Sequence, residues 1–434
     1  MKNIVKKIYQ HKRNLLTVTL GQIIAALGTL FGVRLLTEYI SPTVYGEYKL
    51  LLAAISLPMS VFVRPLIQFL MREYHDADRD GVPQGFIIYA RNFFRNYIFF
   101  IAGLVIMVAI LLFESIKFSI PLLILFLAFF MLSSSVELER AFMTTRNQQI
   151  QASLVSIARN WLVPVGIFIA VILTEKTVLV MFFATVVVFV GIFFFWQYLP
   201  HSVQFSRYRN TKKLDKYKIT RNAINFGIPL AAVGLLSWFV HESDRFFLSY
   251  FHSEEAVGIY SAAYGLVSAP FTLVVGAMAQ FLYPIMFRVS AEGNQKNKNN
   301  VLKTMLIASS FICFVGVIFV GFFDDYIAWL ALGEQYRYES EKLLFWIALG
   351  YGFLSVSMSF DLAAYGNKRT TDILIANTGA AIANVSLNVI FIPDHGAMGA
   401  VIATVISLFF YLIIISVLFL YKENILVLKN FFIN

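Results

Sequence analysis

The sequence predicts an all-α integral membrane protein of about twelve transmembrane helices, arranged as two pseudo-symmetric six-helix bundles. Three observations predict it. Hydrophobic residues make up 59% of the 434 and charged residues only 14%, whereas soluble domains carry about 25% charged residues. Too little polar surface is left for a water-soluble fold. The apolar residues come in continuous runs of roughly 20, the length a bilayer core about 30 Å thick demands of a helix, without the alternation of barrel strands. Finally, Tyr45-Gly46-Glu47-Tyr48 through Gln68-Phe69-Leu70 recurs without a gap as Val257-Gly258-Ile259-Tyr260 through Gln280-Phe281-Leu282. Gly46/Gly258, Tyr48/Tyr260, Ser56/Ser268, Pro58/Pro270, Val63/Val275, Gln68/Gln280, Phe69/Phe281 and Leu70/Leu282 are identical. Such internal repeats are typical of carriers, which bind at the interface of their halves.

In chain order the expected spans are 14–36, 45–70, 97–113, 118–136, 160–174 and 178–198, then 222–250, 256–284, 304–323, 343–365, 373–392 and 397–420. The apolar part of the fifth is short, and its start lies between Ala152 and Asn160. The halves are therefore an N-terminal bundle, 1–200, a basic linker, 201–221, and a C-terminal bundle, 222–434. Lys2, Lys6, Lys7, Lys12 and Arg13 precede the first span like the head of a signal peptide. The apolar run that follows is too long and lacks a small-residue cleavage site, so the first helix is expected to be retained. The single cysteine, Cys313, falls inside a span, where small-residue packing is its expected role.

Charge fixes the orientation. With a cytoplasmic N-terminus, the cytoplasmic loops and span ends hold 27 Lys/Arg and 10 Asp/Glu, the outer loops and span ends, with Glu47 and Lys49 included, 5 and 12. The reverse orientation would break the positive-inside rule at nearly every loop, so both termini are expected in the cytoplasm. The densest basic run, Arg207, Arg209, Lys212, Lys213, Lys216, Lys218 and Arg221, joins the halves and faces anionic headgroups. With no stacking platform or binding motif beside it, no nucleic-acid partner is expected.

Particular motifs narrow the reading. The first half carries Gly32-Val33-Arg34, Ser41-Pro42 and Tyr45-Gly46-Glu47-Tyr48. The second opens with Asn225-Phe226-Gly227-Ile228-Pro229-Leu230, then Asp244-Arg245-Phe246-Phe247-Leu248 and Val257-Gly258-Ile259-Tyr260-Ser261-Ala262-Ala263. Near the end stand Asn384-Val385-Ser386-Leu387-Asn388, Pro393, Gly396 and Gly399-Ala400-Val401-Ile402-Ala403-Thr404. Over essentially its whole length the chain resembles the polysaccharide-biosynthesis flippases, the O-antigen (Wzx-type) translocases, of the multidrug/oligosaccharidyl-lipid/polysaccharide exporter superfamily. The resemblance implies two bundles around a central cavity in the bacterial inner membrane. It also implies translocation of an undecaprenyl-diphosphate-linked oligosaccharide to the outer leaflet, alongside a polysaccharide polymerase and a chain-length regulator.

A carrier of such a lipid needs cationic donors for the diphosphate, and arginine's planar fork suits phosphate. Arg34, Arg64 and Arg245 fall inside expected spans, where an arginine costs about 2.5–3.5 kcal/mol on insertion scales and faces a wet interior or a partner. These three are the candidate diphosphate ligands. Arg34 is also near enough to a span end to snorkel, and Glu242, three residues before Arg245, offers an internal ion pair. His241, Glu242 and Asp244 make the seventh span the most polar; the cluster is either a proton or ion coupling site or a solvated helix end. Asp361 is a further coupling candidate, a partner for a cavity arginine, or a residue at the cytoplasmic end of its helix; a mid-span carboxylate must be protonated or paired. Pro58, Pro229 and Pro270 are expected to kink or hinge their helices. Gln68, Gln280, Asn384 and Asn388 read as interhelical hydrogen-bonding residues, and Trp238 and Tyr264 stack on sugar if they face inward.

The sequence holds no nucleophile–base pair, no HExxH signature and no phosphate-cradling glycine loop, so neither an enzyme nor any cofactor or metal is expected. A polysaccharide ligase would carry a larger outer loop than 324–342. Two transport alternatives stay open: a cation-coupled multidrug antiporter, which would call for an anionic cavity, and a peptidoglycan-precursor flippase, whose relatives have fourteen spans.

Overall fold

A computed structural model describes residues 2–112, 119–146, 148–198, 216–291, 295–367 and 369–433. Among them every regular element is helical: α1 (Lys2–Tyr39), α2 (Pro42–Pro58), a π-helical turn (Met59–Val63), α3 (Arg64–Arg79), α4 (Pro83–Leu112), α5 (Ile120–Thr145) and α6 (Gln149–Leu173). There follow α7 (Val178–Tyr198), α8 (Lys216–His241), α9 (Ser243–Phe251), α10 (Glu254–Ala291), α11 (Gln295–Ala331), α12 (Glu334–Gly366) and α13 (Thr370–Ile433).

Ten stretches of the described residues are long and apolar enough to cross a membrane. The last, Thr370–Lys422, is two spans. Its backbone breaks at Gly396 (φ 54°, ψ −131°), a left-handed conformation that glycine adopts without penalty. Gly379 on one arm then lies against the Ile414 side chain on the other, whereas a straight helix would hold them about 50 Å apart. With α4, 30 residues long, the expected twelve are accounted for.

Three boundaries differ from the expected ones. The fifth span's helix, α6, begins at Gln149, because Gln151, Ser153, Ser156 and Arg159 depress the hydropathy without breaking the helix. The seventh span is not continuous: Glu242 (φ −131°, ψ −21°) separates α8 from α9. Segments read as loops over 71–96, 285–303 and 324–342 are largely helical, since hydropathy marks the immersed part of a helix and not its end. Residues 201–215 of the expected linker lie outside the described residues, and α8 takes up the chain at Lys216.

The backbone packs into two compact units. The first comprises Met1–Leu36 and Leu50–Leu235. In it α5 packs on α3, α4, α6 and α7, around Phe129, whose ring lies 5.9 Å from that of Phe182 and 5.0 Å from that of Phe189.

The second unit comprises Thr37–Lys49 and Leu236–Asn434. There α12 packs on α10, α11 and α13, and α9 on α10 and α13. One core joins Ala376 and Ala380 to Leu408, Tyr411 and Ile415 across the two arms of α13. The hairpin Thr37–Lys49 is clasped within this unit. Gly333 N–H donates to Thr37 Oγ1 (2.9 Å) and Tyr336 OH to the Ile40 carbonyl (2.9 Å). A Cβ on Gly46 would sit 1.8 Å from the Glu254 carbonyl oxygen, and one on Gly258 2.0 Å from that of Pro42. The glycine shared by the two repeat copies thus marks a backbone-to-backbone crossing.

On α11, Ile307, Phe311, Phe314, Ile318 and Phe322 are exposed at helical spacing. So large an apolar stripe belongs against acyl chains.

Candidate functional site

In the first unit the cluster begins at the π turn. Pro58 removes a helical donor and the helix widens after it, Arg64 N–H donating back to the Met59 carbonyl in the i−5 pattern. Ser60 Oγ donates to the carbonyls of Ser56 and Leu57, each at 2.9 Å. A Cβ on Gly234 of α8 would lie 2.2 Å from the Ser60 carbonyl oxygen, so a glycine there lets α8 sit against the bulge. π-bulges concentrate at functional sites, and this one sets the direction in which Arg64 leaves the helix. Arg64 is exposed.

Arg64 does not act alone. On α5, Arg140 Nη2 donates to Glu137 Oε1 (2.6 Å) and Nε to Oε2 (3.2 Å), the two-pronged geometry of a strong arginine–carboxylate pair. Arg159 of α6 and Arg64 act electrostatically on the same Glu137 carboxylate and repel each other. Arg140 alone bonds this carboxylate, with Arg159 and Arg64 in electrostatic range of it, so three positive charges face one negative one. Arg159 also donates to Asn160 Oδ1 (3.3 Å). It lies ten residues into the 25-residue α6, about 15 Å along the axis from its start, and is exposed. An exposed cation on a membrane-crossing helix requires water, a lipid headgroup or an anion.

Sequence reasoning placed Arg140 and Arg159 in a cytoplasmic loop over 137–159. The structure puts both on helices. The i,i+3 spacing of Glu137 and Arg140, together with the start of the fifth span near Ala152, was the signal that could have found them. Arg34 is half-buried, five residues before the end of α1, about 7 Å along the axis.

The second unit holds a different constellation. Asp244 is fully buried, 0% exposed, while His241 and Glu242 beside it are half-buried. Its Oδ1 accepts Arg245 N–H (2.8 Å) and its Oδ2 the Tyr260 hydroxyl. Arg245, 8% exposed, is heavily engaged: Nη1 donates to Glu242 Oε2 (2.6 Å) and to the His241 carbonyl (2.9 Å), and Nε to Ser261 Oγ (3.2 Å). The His241 carbonyl lies at the break between α8 and α9, so the guanidinium satisfies an acceptor freed there. The rings of Tyr264 and Tyr260 flank it at 5.4 and 5.9 Å. Arg245 therefore makes the internal pair with Glu242 that the sequence allowed.

Asn384 and Asn388 extend this network. Asn388 Nδ2 donates to Asn384 Oδ1 (2.9 Å), which Ser243 Oγ also reaches (3.4 Å). Asn388 Oδ1 and Thr404 Oγ1 are buried without a hydrogen-bond partner among the described residues; Thr404 lies against the Tyr260 hydroxyl without closing a bond of ordinary geometry. Asn384 Nδ2, a donor, is likewise buried without a partner among the described residues, so the network leaves both donor and acceptor capacity open. The described residues contain no group of three or more His, Cys, Asp or Glu arranged for a metal. A cavity of about 10 Å³ lies between Tyr260, Tyr264, Tyr351, Thr404 and Leu408, room for about one water and far below the size of organic-ligand sites.

Asp361, half-buried in α12, accepts from Tyr411 OH (2.8 Å) beside the paired rings of Tyr283 and Tyr365. It lies five residues before the end of α12, so it is both paired and near a helix end. Pro229 and Pro270 are exposed within continuous helices, in contrast to buried Pro58. Trp238 is buried against Phe246 and Tyr264 against Tyr260 and Tyr351, so neither is open to a sugar here. Gln68 is exposed, and the Gln280 side chain lies outside the described residues.

The family described as Polysaccharide biosynthesis protein matches residues 11–290, and the family described as MatE matches residues 229–390. No curated protein sequence matches the chain. Among solved structures, the lipid II flippase MurJ in an inward closed conformation is similar with a TM-score of 0.72 at 16% identity, over 94% of this chain and 87% of that one. An inward-facing multidrug resistance MATE family transporter of the MOP superfamily gives 0.74 at 15% identity, over 96% and 98%. A MOP superfamily transporter from Pyrococcus furiosus, described as having a binding pocket of reverse polarity, gives 0.62 at 14%, over 96% of each chain. At such identities these structures establish the fold. With the family match spanning well over half of the sequence, the chain belongs to the polysaccharide biosynthesis protein family and is a multi-pass membrane protein with the fold of these transporters.

Proposed function

We propose that the protein flips an undecaprenyl-diphosphate-linked oligosaccharide from the cytoplasmic to the outer leaflet of the bacterial inner membrane, for O-antigen or another surface polysaccharide. The observation that carries this reading is the convergence of Arg64, Arg140 and Arg159 on the single carboxylate of Glu137. A diphosphate is the anion such a cluster suits: its clustered oxygens can occupy several guanidinium forks at once, and each charge-assisted bond is worth about 1.5–3 kcal/mol. Arg34 remains in the proposed set. Arg245 is reassigned from ligand to scaffold because its donors serve Glu242, the His241 carbonyl and Ser261.

Transport proceeds by alternating access, the halves rocking about their proline-bearing helices. Coupling falls to the second unit, where a monovalent cation or a proton at Asp244 would bias one state over the other, with His241 and Glu242 shaping the field and Asp361 a second protonatable carboxyl. In this reading the N- and C-termini are cytoplasmic, and a polymerase and chain-length regulator act on the delivered glycan.

The test replaces Arg64, Arg140, Arg159 and Arg34 singly by Ala and by Lys and measures surface polysaccharide at equal protein level. Loss in the Ala variants of the first three, with partial recovery in Lys, supports the reading; full retention in all of them removes it. A second reading, export of organic cations, rests on the buried carboxylates Asp244 and Asp361. It requires that cells carrying the protein tolerate lipophilic cations better than those carrying Asp244→Asn.

A further inference from the structure

The basic cluster contains its own anion. Glu137 sits one helical turn before Arg140 and fills both prongs of its guanidinium fork, the same prongs that a phosphate would use. The side chains of Arg140 and Glu137 are 38% and 24% exposed, so an incoming anion can reach the pair. The other two arginines are held by no comparable carboxylate: Arg159 has only the Asn160 amide oxygen as a hydrogen-bond acceptor among the described residues, and Arg64 acts on the Glu137 carboxylate already in use. Two other acids of the first unit are paired elsewhere. Glu139, on the opposite face of α5, is taken by Arg91 through two bonds of 2.6 Å, and Asp76 pairs with Arg79.

We infer that Glu137 is an internal counter-anion, occupying Arg140 in the substrate-free protein, displaced by the lipid diphosphate, and returning to the fork to drive the diphosphate off. The inference rests on the diphosphate-binding reading of the cluster and adds a competitor to it. No covalent step is involved; one carboxylate and one diphosphate exchange places on the same donors.

Without Glu137 the cluster would hold three cations for the anion and nothing to expel it, a site that binds tightly and releases slowly. A carrier gains by avoiding that, because binding the substrate more tightly than the states that follow it slows turnover. A carboxylate about 6 Å from a bound anion, at an effective dielectric intermediate between protein and water, lowers affinity by roughly tenfold. Glu137→Gln keeps the size and hydrogen-bonding capacity of the side chain and removes only the charge.

The experiment uses the full chain in lipid nanodiscs and farnesyl diphosphate as a soluble probe, with transport of lipid-linked oligosaccharide measured in proteoliposomes of the same variants. Glu137→Gln is expected to bind the probe about tenfold tighter and to transport with lower KM and lower kcat. Glu137→Asp, which draws the carboxylate back by one methylene, is expected to fall between the two and keeps the test alive if the Gln variant does not fold. A merely structural Glu137 would lower thermal stability and kcat without tightening the probe. Unchanged or weaker binding in both variants, while Arg140→Ala and Arg159→Ala still lose the probe, overturns the counter-anion and leaves the flippase reading standing. No effect of the arginine variants on either probe binding or transport overturns both.

Discussion

The two polar clusters lie in different units, and they are opposites in charge and in access. In the first unit three arginines share one carboxylate and the side chains remain reachable. In the second, one arginine lies between Glu242 and Asp244, and Asp244 is sealed under Tyr260. The repeat conserved the backbone crossing, with Gly46 and Gly258 each against a carbonyl oxygen, and let the chemistry diverge. An accessible excess of positive charge is what a site needs to capture a polyanion from an aqueous leaflet. A buried carboxylate with unpaired oxygens beside it is suited instead to a small cation, whose arrival changes the energy of the unit without contact with the cargo. On the proposed reading one unit holds the substrate and the other responds to the coupling ion.

The largest expected effect tests the holding side. Arg159→Ala removes a cation of the cluster whose hydrogen-bond acceptor among the described residues is an amide and not a carboxylate and is expected to reduce translocation by at least about tenfold, each lost charge-assisted bond being worth about 1.5–3 kcal/mol; Lys at the same position should recover part of it. The measurement is the rate at which lipid-linked oligosaccharide becomes accessible outside proteoliposomes. Wild-type rates for Arg159→Ala would erase the contrast between the units.

The responding side comes next. Asp244→Asn is expected to abolish the dependence of transport on a sodium or proton gradient while leaving binding of a short-chain isoprenyl diphosphate near its original strength. Coupling free energies of about 1–3 kcal/mol put the loss of gradient stimulation in the range of 5- to 150-fold. A variant that still responds to the gradient would move coupling elsewhere, Asp361 with its Tyr411 partner being the next residue to change.

Much of this was legible beforehand, and the gaps have identifiable causes. Hydropathy located the spans, because burial in lipid leaves its mark residue by residue, and the repeat located the glycine crossing. Arg64 and the Asp244 neighbourhood were visible as charges in apolar surroundings. Arg140 and Arg159 were not, because Glu137, Glu139, Arg146 and the glutamines near them lower the average hydropathy to that of a loop, although the helices continue through them. The closure of Asp244 by Tyr260, 16 residues away and on the next helix, is a tertiary fact that local spacing does not encode. The break at Glu242 was hidden for a similar reason: the acceptor it frees is satisfied by Arg245, and an apolar run reads the same with or without an interruption.

Smaller effects sharpen the contrast through stability. Gly46→Ala and Gly258→Ala each place a methyl group against a backbone oxygen and are expected to cost about 1–3 kcal/mol or more by overpacking, measured as a fall in the melting temperature of detergent-solubilised protein. Equal losses from the two would confirm that the repeat copies meet symmetrically at this crossing. Trp161→Phe, which deletes the Nε1 bond to the Ile24 carbonyl (2.9 Å), is expected to cost only about 0.5–1.5 kcal/mol, with transport retained at equal protein level. A loss of transport without a loss of stability would add α1 to the binding surface.

The most direct test of the central claim is reconstitution of the protein and of a variant with Arg64, Arg140 and Arg159 all replaced by Gln, followed by translocation of undecaprenyl-diphosphate-linked oligosaccharide, scored as its exposure to an external glycosidase. The account predicts transport by the native chain and none above protein-free vesicles by the variant, at matched folding. Equal transport by the two would contradict it.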